Sequence, residues 1–198
     1  MIERVVGIDI GSLVDYTAVC VLEVGRDQGD AIMYLHCIHL DRLQIGQTYL
    51  SQIEDIAVIL RKIPGAKIAL DFTGIGNPVS QIWGACGMRV DTKFSIHGGD
   101  KRSYENGITY IPKRDIIGGI TVGLQSGKLK FAAGLPLIKE IVNELISYEV
   151  KINPSTGHDS YNARSGQHDD MILALGCAVA LANTNTKRTY TILSGSRQ

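Results

Sequence analysis

Four aspartates stand at positions where a carboxylate is unusual. Asp9 lies inside the apolar segment VVGIDIG, although aspartate is depleted within β-strands. Asp71 ends the apolar segment KIALD, and Asp169 and Asp170 open the long apolar segment that follows SGQH. Because an ionised carboxylate is costly to bury without a cationic partner, this pattern predicts a cation site built from acidic side chains.

The chemistry of such a site follows from the repulsion between the carboxylates. Carboxylates that converge raise one another's pKa, and a divalent cation removes the repulsion. Oxygen ligands suit magnesium or manganese, and two such ions can activate a water and stabilise a leaving oxygen in phosphodiester cleavage. We therefore predict that Asp9, Asp71 and the pair Asp169 and Asp170 bind two Mg²⁺ or Mn²⁺ ions and are catalytic.

Each residue also has a simpler interpretation. Asp71 is equally well placed to end a strand in a turn. One of Asp169 and Asp170 suits the N-cap or the first turn of a helix, where the helix dipole favours an acid. His168 is a polar residue at a helix start, a supporting partner of the site or a further ligand. Asp9 is the hardest to account for without a ligand, and the four together indicate more than any one alone.

The apolar segments predict the elements that must position these residues. Short β-branched runs indicate strands, and apolar residues at helical spacing indicate helices. Together they predict a mixed α/β sheet of five strands with helices packed on it. The predicted strands are 4–10, 17–24, 31–40, 67–71 and 88–96, and the helices are 48–62, 76–87, 114–127, 135–150 and 169–183.

The remaining segments are polar. Residues 97–115 are predicted to be a surface loop or a small hairpin, and residues 153–167 a second surface loop. We expect one domain over residues 1–183 and a C-terminal tail over residues 184–198.

Composition excludes several classes of protein. The chain has 198 residues, a formal net charge of zero and 44% apolar residues, so it is not coated in basic charge. Its four cysteines form no C-x-x-C pair, which disfavours a zinc site or a disulfide framework and fits a reduced cytosolic compartment. We expect no membrane span and no targeting segment.

Five segments taken in order carry a family resemblance. They are GIDIGSLVDYTAVCVLE, ALDFTGIGNPVSQIW, IHGGDKRSYENGITYIPKRDIIGG, LQSGKLKFA and GHDSYNARSGQHDDMILALGCAVA. Over about residues 5–182 the chain resembles the nuclease domain of large terminase subunits from tailed bacteriophages.

The resemblance implies a ribonuclease H-like fold with helices on both faces of the sheet. It also implies a metal-dependent endonuclease that cuts concatemeric viral DNA during genome packaging. The metal ligands of that family lie on the first strand, the fourth strand and the last helix, which correspond to Asp9, Asp71 and the pair Asp169 and Asp170. Asp15 matches a recurrent family position, and we expect it to shape a turn.

The implied partners are double-stranded DNA, the terminase ATPase motor, the small terminase subunit and the portal, in the cytoplasm of an infected or lysogenic bacterial host. The chain has no G-x-x-x-x-G-K-[ST] phosphate loop, so we do not expect it to hydrolyse ATP by that route. An excised domain and a separately encoded nuclease both fit this composition.

Basic residues near the polar loops are candidate contacts to DNA phosphates, although for any single one a solvated surface charge is the favoured interpretation. The neutral overall charge predicts weak DNA affinity for the isolated domain. The candidates are Lys101, Arg102, Lys113, Arg114, Lys128, Lys130 and Arg164.

Three alternative functions are open at this point. A Holliday-junction resolvase would use nearly the same chemistry on branched DNA. An actin-type or sugar-kinase ATPase shares the GIDIGS pattern, but we find no second phosphate motif. A non-catalytic domain that keeps the fold for protein contacts is the third alternative.

Overall fold

The computed structural model describes residues 2–74, 76–152, 159–163 and 168–184. Within these ranges the chain forms ten strands and five helices. The strands are β1 (Ile2–Asp9), β2 (Ala18–Arg26), β3 (Ile32–Arg42), β4 (Lys67–Asp71), β5 (Thr92–His97), β6 (Ser103–Glu105), β7 (Ile108–Pro112), β8 (Leu129–Phe131), β9 (Tyr148–Ile152) and β10 (Asp159–Ala163). The helices are α1 (Tyr49–Arg61), α2 (Gly76–Ala85), α3 (Lys113–Gln125), α4 (Ile138–Ser147) and α5 (Asp170–Thr184).

Eight strands form one mixed sheet in the order β6-β7-β5-β4-β1-β2-β3-β8. β1, β2 and β3 form an antiparallel meander, whereas β4, β5 and β7 run parallel to β1. The five strands predicted from the sequence are the contiguous centre of this sheet, β5-β4-β1-β2-β3. The mixed sheet is confirmed, and its number of strands is eight rather than five.

The three additional strands escaped prediction for a physical reason. β6 and β8 have only three residues each, and every residue of β6 is exposed. Such short edge strands carry no apolar alternation, so the segment 97–115 has the pattern of a polar loop. The hairpin expected there exists, and β7 joins it to the main sheet beside β5.

Helices cover both faces of the sheet, as predicted. On one face, α1 and α2 contribute Ile53, Ile56, Val79 and Trp83 to a core with β1, β2 and β4. On the other face, α5 lies across the centre of the sheet with α3 and α4 beside it. Because α5 is buried on nearly every side, its sequence is apolar all round and shows no amphipathic period.

The close approach of α5 to β1 requires glycine at position 7. A Cβ atom on Gly7 would lie 1.9 Å from the carbonyl oxygen of Ala174 and 2.5 Å from the backbone nitrogen of Ala178. Both contacts are with helix backbone, which cannot move out of the way as a flexible side chain can. Gly7 therefore sets the height of α5 above the sheet, two residues before Asp9.

The predicted helix over 135–150 is too long. α4 ends at Ser147, and the chain continues as β9, which pairs with β10 in a separate two-stranded sheet. In YEVKI apolar and charged residues alternate, and this period of two favours a strand. Most of the predicted loop over 153–167 and the tail from residue 185 onward lie outside the described residues. None of the described helices has the length and apolar character that a bilayer crossing requires.

Substitution of Gly7 by Ala tests the contact between α5 and β1. The new methyl group collides with the α5 backbone, so we expect the free energy of unfolding to fall by about 2–3 kcal/mol, at the upper end of the overpacking range. Urea unfolding followed by circular dichroism measures the change. Gly118→Ala in α3 is the matched control, because a Cβ there meets no atom within 4 Å. Equal stability of Gly7→Ala and wild type would contradict the proposed packing.

Candidate functional site

A row of residues in register crosses the centre of the sheet. Asp71 on β4 pairs with Asp9 on β1, and Asp9 pairs in turn with Ala18 on β2. Ala18 then pairs with Arg42 on β3. Residues paired in this way lie on neighbouring strands about 4.8 Å apart and share one face of the sheet. Ala18 belongs to the core beneath α5, so the whole row faces that helix.

The beginning of α5 lies over this row and is fixed there by Asp170. The Asp170 carboxylate accepts two hydrogen bonds from the Arg42 guanidinium, from Nε at 2.8 Å and from Nη2 at 3.1 Å. The side chain of Ala18 is small, which leaves space between Asp9 and Arg42 for this contact. Asp170 is only 6% exposed, so the ion pair is buried.

Glu144 of α4 joins the same contact. One of its oxygens accepts from Arg42 Nη2, and the other accepts from the backbone N–H of Ile172 at 3.2 Å. The Ile172 N–H is in the first turn of α5, where backbone donors have no partner within the helix. Arg42 and Glu144 therefore tie three elements together: β3, α4 and the start of α5.

Asp169 has a different partner from its neighbour. Its Oδ2 atom accepts a hydrogen bond from Lys113 Nζ at 2.9 Å. Lys113 is the first residue of α3 and directly follows β7, so it reaches the site from the opposite side to Arg42. Asp169 is the residue before α5 and Asp170 is its first residue, and the two side chains contact different cations.

The carboxylates of the row are hard to ionise. Burial raises the pKa of Asp9 well above its ordinary value, and the charges of Asp71, Asp170 and Asp169 raise it further. Burial also raises the pKa of Asp71, although hydrogen bonds from Thr73 oppose the rise. The pKa of Asp170 is raised by burial in spite of Arg42. Desolvation therefore outweighs the nearby positive charges of Arg42 and Lys113.

A cleft of about 440 Å³ opens above Asp9, Asp169 and Asp170, while Asp71 is buried beside Asp9 and does not line it. Its walls come from the loop after β1, the loop after β4, the first residue of α1 and the start of α5. The lining residues are Asp9, Ile10, Gly11, Ser12, Asp15, Tyr16, Tyr49, Thr73, Gly74, His168, Asp169 and Asp170. The cleft lies at the carboxyl ends of β1 and β4, where ligands gather in α/β sheets.

Hydrogen bonds fix the walls of the cleft. Thr17 Oγ1 accepts from the Gly11 N–H at 2.9 Å and donates to Gln52 Oε1 at 2.8 Å, which ties the loop after β1 to α1. The backbone N–H of Thr73 donates to Asp71 Oδ1 at 2.8 Å. Asp15 accepts from Ser12 Oγ at 2.8 Å, an arrangement that agrees with the turn-shaping part predicted for it.

Aromatic contacts connect His168 to the same network. Its ring packs edge-on against the Tyr16 ring at 4.7 Å, and the Arg42 guanidinium lies 4.6 Å from the centre of the same ring. His168 therefore lies at the cleft wall and contacts Tyr16 there. Its charge in the protonated form opposes the rise in the pKa of Asp170 that burial causes.

The structure separates the predicted DNA contacts into different settings. Lys113 lies in the acidic cluster, Arg102 pairs with Asp115 at 2.7 Å, and Arg114 pairs with Asp100 at 2.7 Å. Lys128 donates to the backbone oxygen of Ile32 at 2.8 Å. Lys101 and Lys130 are exposed, and Arg164 lies outside the described residues.

Sequence reasoning missed Arg42, Glu144 and the position of Lys113 in the site. Arg42 was missed because the third strand was predicted to end at residue 40, two residues before the position that pairs with Ala18. The segment LDR did carry an indication, because the charged residues Asp41 and Arg42 directly follow the predicted strand 31–40. Glu144 lies inside an amphipathic helix and carries no local signal.

The donor set suits a divalent cation that prefers oxygen ligands. Half-buried Asp9 and buried Asp71 lie side by side on adjacent strands, and the charge of Asp71 raises the pKa of Asp9. Asp169 lines the same cleft as Asp9, and all three supply carboxylate oxygens. Among the described residues, no three His, Cys, Asp or Glu side chains converge closely enough to hold an ion jointly. Two of the four carboxylates are instead paired with Lys113 and Arg42.

Removal of Arg42 tests the anchoring of α5. In Arg42→Gln, Asp170 and Glu144 remain buried without their cation, and breaking a buried pair in this way costs about 3–5 kcal/mol. Urea unfolding measures the loss. Arg89→Gln is the control, because Arg89 pairs with Asp91 while its own side chain is 85% exposed. A loss as small as the control's would show that Arg42 does not hold the helix.

The pH dependence of stability tests the burial of Glu144, whose pKa is raised from 4.5 to about 7, first by desolvation and then by the charge of Asp170. A raised carboxyl pKa gives stability that is full below the unfolded value and is lost as the pH rises through the folded value. Without metal, the free energy of unfolding should therefore fall between pH 4.5 and about pH 7. In Glu144→Gln we expect the fall to be smaller by about 1–2 kcal/mol. Glu140→Gln on the exposed face of α4 is the control, and equal slopes in all three proteins would contradict the assignment.

Comparison with known proteins identifies the fold. The sequence matches no protein-family model and no curated protein. The structure is similar to the large terminase nuclease from thermophilic phage G20c with bound magnesium, at 21% identity and a TM-score of 0.64 over 90% of this chain and 81% of that one.

Two further nuclease domains agree with this result. The Thermus phage P74-26 large terminase nuclease domain has 20% identity and a TM-score of 0.60, over 89% of this chain and 78% of that one. The large terminase nuclease domain from bacteriophage SPP1 with bound Mn has 16% identity and a TM-score of 0.51, over 90% of this chain and 86% of that one. This chain therefore has the ribonuclease H-like fold of the phage large terminase nuclease domains.

Proposed function

We propose that the chain is a metal-dependent DNA endonuclease of the large terminase type, which cuts concatemeric viral DNA during genome packaging. One observation carries the proposal. Asp9 and Asp71 lie in register on adjacent parallel strands beneath the start of α5, and Asp169 and Asp170 line the same cleft as Asp9. The similar nuclease domains with bound magnesium and manganese support the same activity.

The contacts of the four aspartates suggest that three of them bind metal and that the fourth anchors α5. Both oxygens of Asp170 are engaged by the Arg42 guanidinium, whose planar fork matches a carboxylate and holds it strongly. Within the described ranges, the Asp169 carboxylate accepts one hydrogen bond, from the Lys113 ammonium group, and such a contact is easier to exchange. We therefore assign Asp9, Asp71 and Asp169 as the metal ligands, which requires Asp169 to leave Lys113 and approach the other two, and Asp170 as the anchor that orients α5.

When bound, two Mg²⁺ or Mn²⁺ ions would supply Lewis acidity, lowering the pKa of an attacking water and stabilising the leaving oxygen. The protein's own contribution is to hold the carboxylates close together and in fixed orientations. Asp9 and Asp71 must lose their protons for binding, so binding is expected to strengthen as the pH rises. Thr73 keeps Asp71 oriented through its backbone N–H, and Arg42 keeps the start of α5 above the row.

DNA would lie across the mouth of the cleft and be held through its phosphates. Lys101, Arg102 and Arg114 flank the β6–β7 hairpin and the start of α3, and Arg102 and Arg114 would exchange acidic partners for phosphate oxygens. Lys128, Lys130 and Arg164 extend the set of candidates. A net charge of zero predicts weak, salt-sensitive binding by the domain alone.

Weak binding by itself fits a nuclease that is delivered to its substrate by an assembly. We propose the packaging ATPase motor, the small terminase subunit and the portal as the partners that bring DNA to the cleft. The corresponding location is the cytoplasm of the bacterial host.

Cleavage of supercoiled plasmid tests the function. We expect conversion to nicked and linear forms in Mn²⁺ or Mg²⁺ and none in EDTA. In Asp9→Asn or Asp71→Asn the cleavage rate should fall by more than about 100-fold. Mutation of residues that only hydrogen-bond to a metal ligand already lowers activity by about 10–100-fold, so loss of a ligand should lower it more. Circular dichroism confirms that each variant is folded.

Glu54→Gln supplies the matched control, since Glu54 is an exposed carboxylate on α1. Cleavage retained by folded Asp9→Asn or Asp71→Asn would remove both residues from the site. A four-way junction added as a second substrate separates the alternatives: strong preference for the junction over linear duplex would favour a resolvase.

A further inference from the structure

We propose that Lys113 is an internal cation that occupies the acidic cluster in the metal-free protein and sets the affinity of the site for divalent ions. This inference rests on the proposed function, because it concerns the same four carboxylates. It assigns Lys113 to metal binding, although its place beside a basic surface loop predicts a DNA contact.

The position of Lys113 is the first observation. Its ammonium group donates to Asp169 at 2.9 Å, and the two side chains are only 19% and 27% exposed. The charge of Lys113 also opposes the rise in the pKa that burial imposes on Asp9 and Asp71. A single ammonium therefore acts on the three carboxylates that we assign as metal ligands.

The contrast between the two cations of the site is the second observation. Arg42 contacts Asp170 through two hydrogen bonds and also contacts Glu144, and its planar guanidinium holds both carboxylates at once. Lys113 contacts Asp169 as a point charge on a flexible four-carbon stem. A divalent ion that enters the cleft can therefore displace Lys113 from Asp169 while Arg42 keeps Asp170 in place.

Tyr148 gives the displaced ammonium a second neighbour. Lys113 Nζ already lies 5.7 Å from the centre of the Tyr148 ring, within the range of a cation–π contact. A small rotation of the lysine stem would exchange the carboxylate for the ring face without moving α3. The exchange thus requires a side-chain movement and no change of fold.

Competition between Lys113 and a divalent ion predicts the direction in which metal affinity changes when the lysine is removed. A positive charge beside the site repels an incoming divalent ion and occupies one of its ligands, so removing that charge should strengthen metal binding. Had Lys113 instead served to orient Asp169 for the metal, its removal would weaken binding. The two roles therefore predict opposite changes in the dissociation constant.

Isothermal titration of the metal-free protein with MnCl₂ and MgCl₂ at fixed pH and ionic strength measures this change. We expect Lys113→Gln to bind each ion on the order of 10-fold more tightly than wild type. Lys113→Arg keeps the charge and should bind no more tightly than wild type. Lys113→Met replaces the Gln variant if the latter does not fold.

Lys62→Gln is the matched control for loss of one positive charge. Lys62 is exposed at the end of α1, and the other end of that helix, Tyr49, lines the cleft about 20 Å away. We expect its dissociation constants to equal those of wild type.

Thermal unfolding gives a second readout that does not depend on activity. Without metal, Lys113→Gln should unfold at a lower temperature than wild type, because its carboxylates have lost a cation. Saturating Mg²⁺ should then raise its midpoint by more than it raises that of wild type.

The outcomes distinguish this inference from the function on which it rests. Unchanged or weaker metal binding in Lys113→Gln, with wild type binding normally, overturns the role of Lys113 alone. Tighter binding in Lys113→Arg as well would show that charge is not the cause and would also overturn it. No metal binding by wild type would overturn both the inference and the proposed function.

Discussion

The mutual repulsion of carboxylates gathered beneath a buried helix is the constraint on which this structure depends. Asp9 and Asp71 are fixed side by side by the register of β1 and β4, so neither can avoid the other. α5 then adds Asp169 and Asp170 to the same cleft. Arg42, Lys113 and the small side chain of Ala18 all relieve this crowding: two supply positive charge, and one leaves room for it to reach the helix.

The contact between α5 and β1 determines both how the helix packs on the sheet and where its acidic residues lie. The helix can approach the strand because Gly7, Ala174 and Ala178 present almost no side chain at the crossing. This approach brings the first turn of α5 over the ends of β1 and β4, and Arg42 and Glu144 then fix its direction. The apolar body of the helix thus sets the height of the acidic residues, and the buried ion pairs set their orientation. A change in either part would move the carboxylates relative to one another.

Local sequence pattern was enough to predict part of this arrangement. Asp9 stands out because an acid inside a β-branched run is rare, and the apolar run after Asp170 predicted α5 to within one residue at each end. The five central strands were also predicted correctly from pattern, whereas helices on both faces were implied by the family resemblance. What could not be predicted depends on register between distant strands: Arg42 reaches Asp170 only because β3 extends two residues beyond its apolar run. Lys113 reaches Asp169 only because β7 lies beside β5. The edge strands β6 and β8 were missed because three residues are too few to show an alternation of apolar and polar side chains.

The proposed site requires the adjacent acids of α5 to have different partners, with Asp170 fixed to Arg42 and Asp169 available to a metal. A crystal structure of the protein with Mn²⁺, in which anomalous scattering locates the ions, tests this requirement directly. We expect manganese bound by Asp9, Asp71 and Asp169, with Asp170 still paired to Arg42 and Lys113 withdrawn from Asp169. Manganese bound by Asp170 after release from Arg42, or bound away from the β1–β4 row, would show that the assignment is wrong.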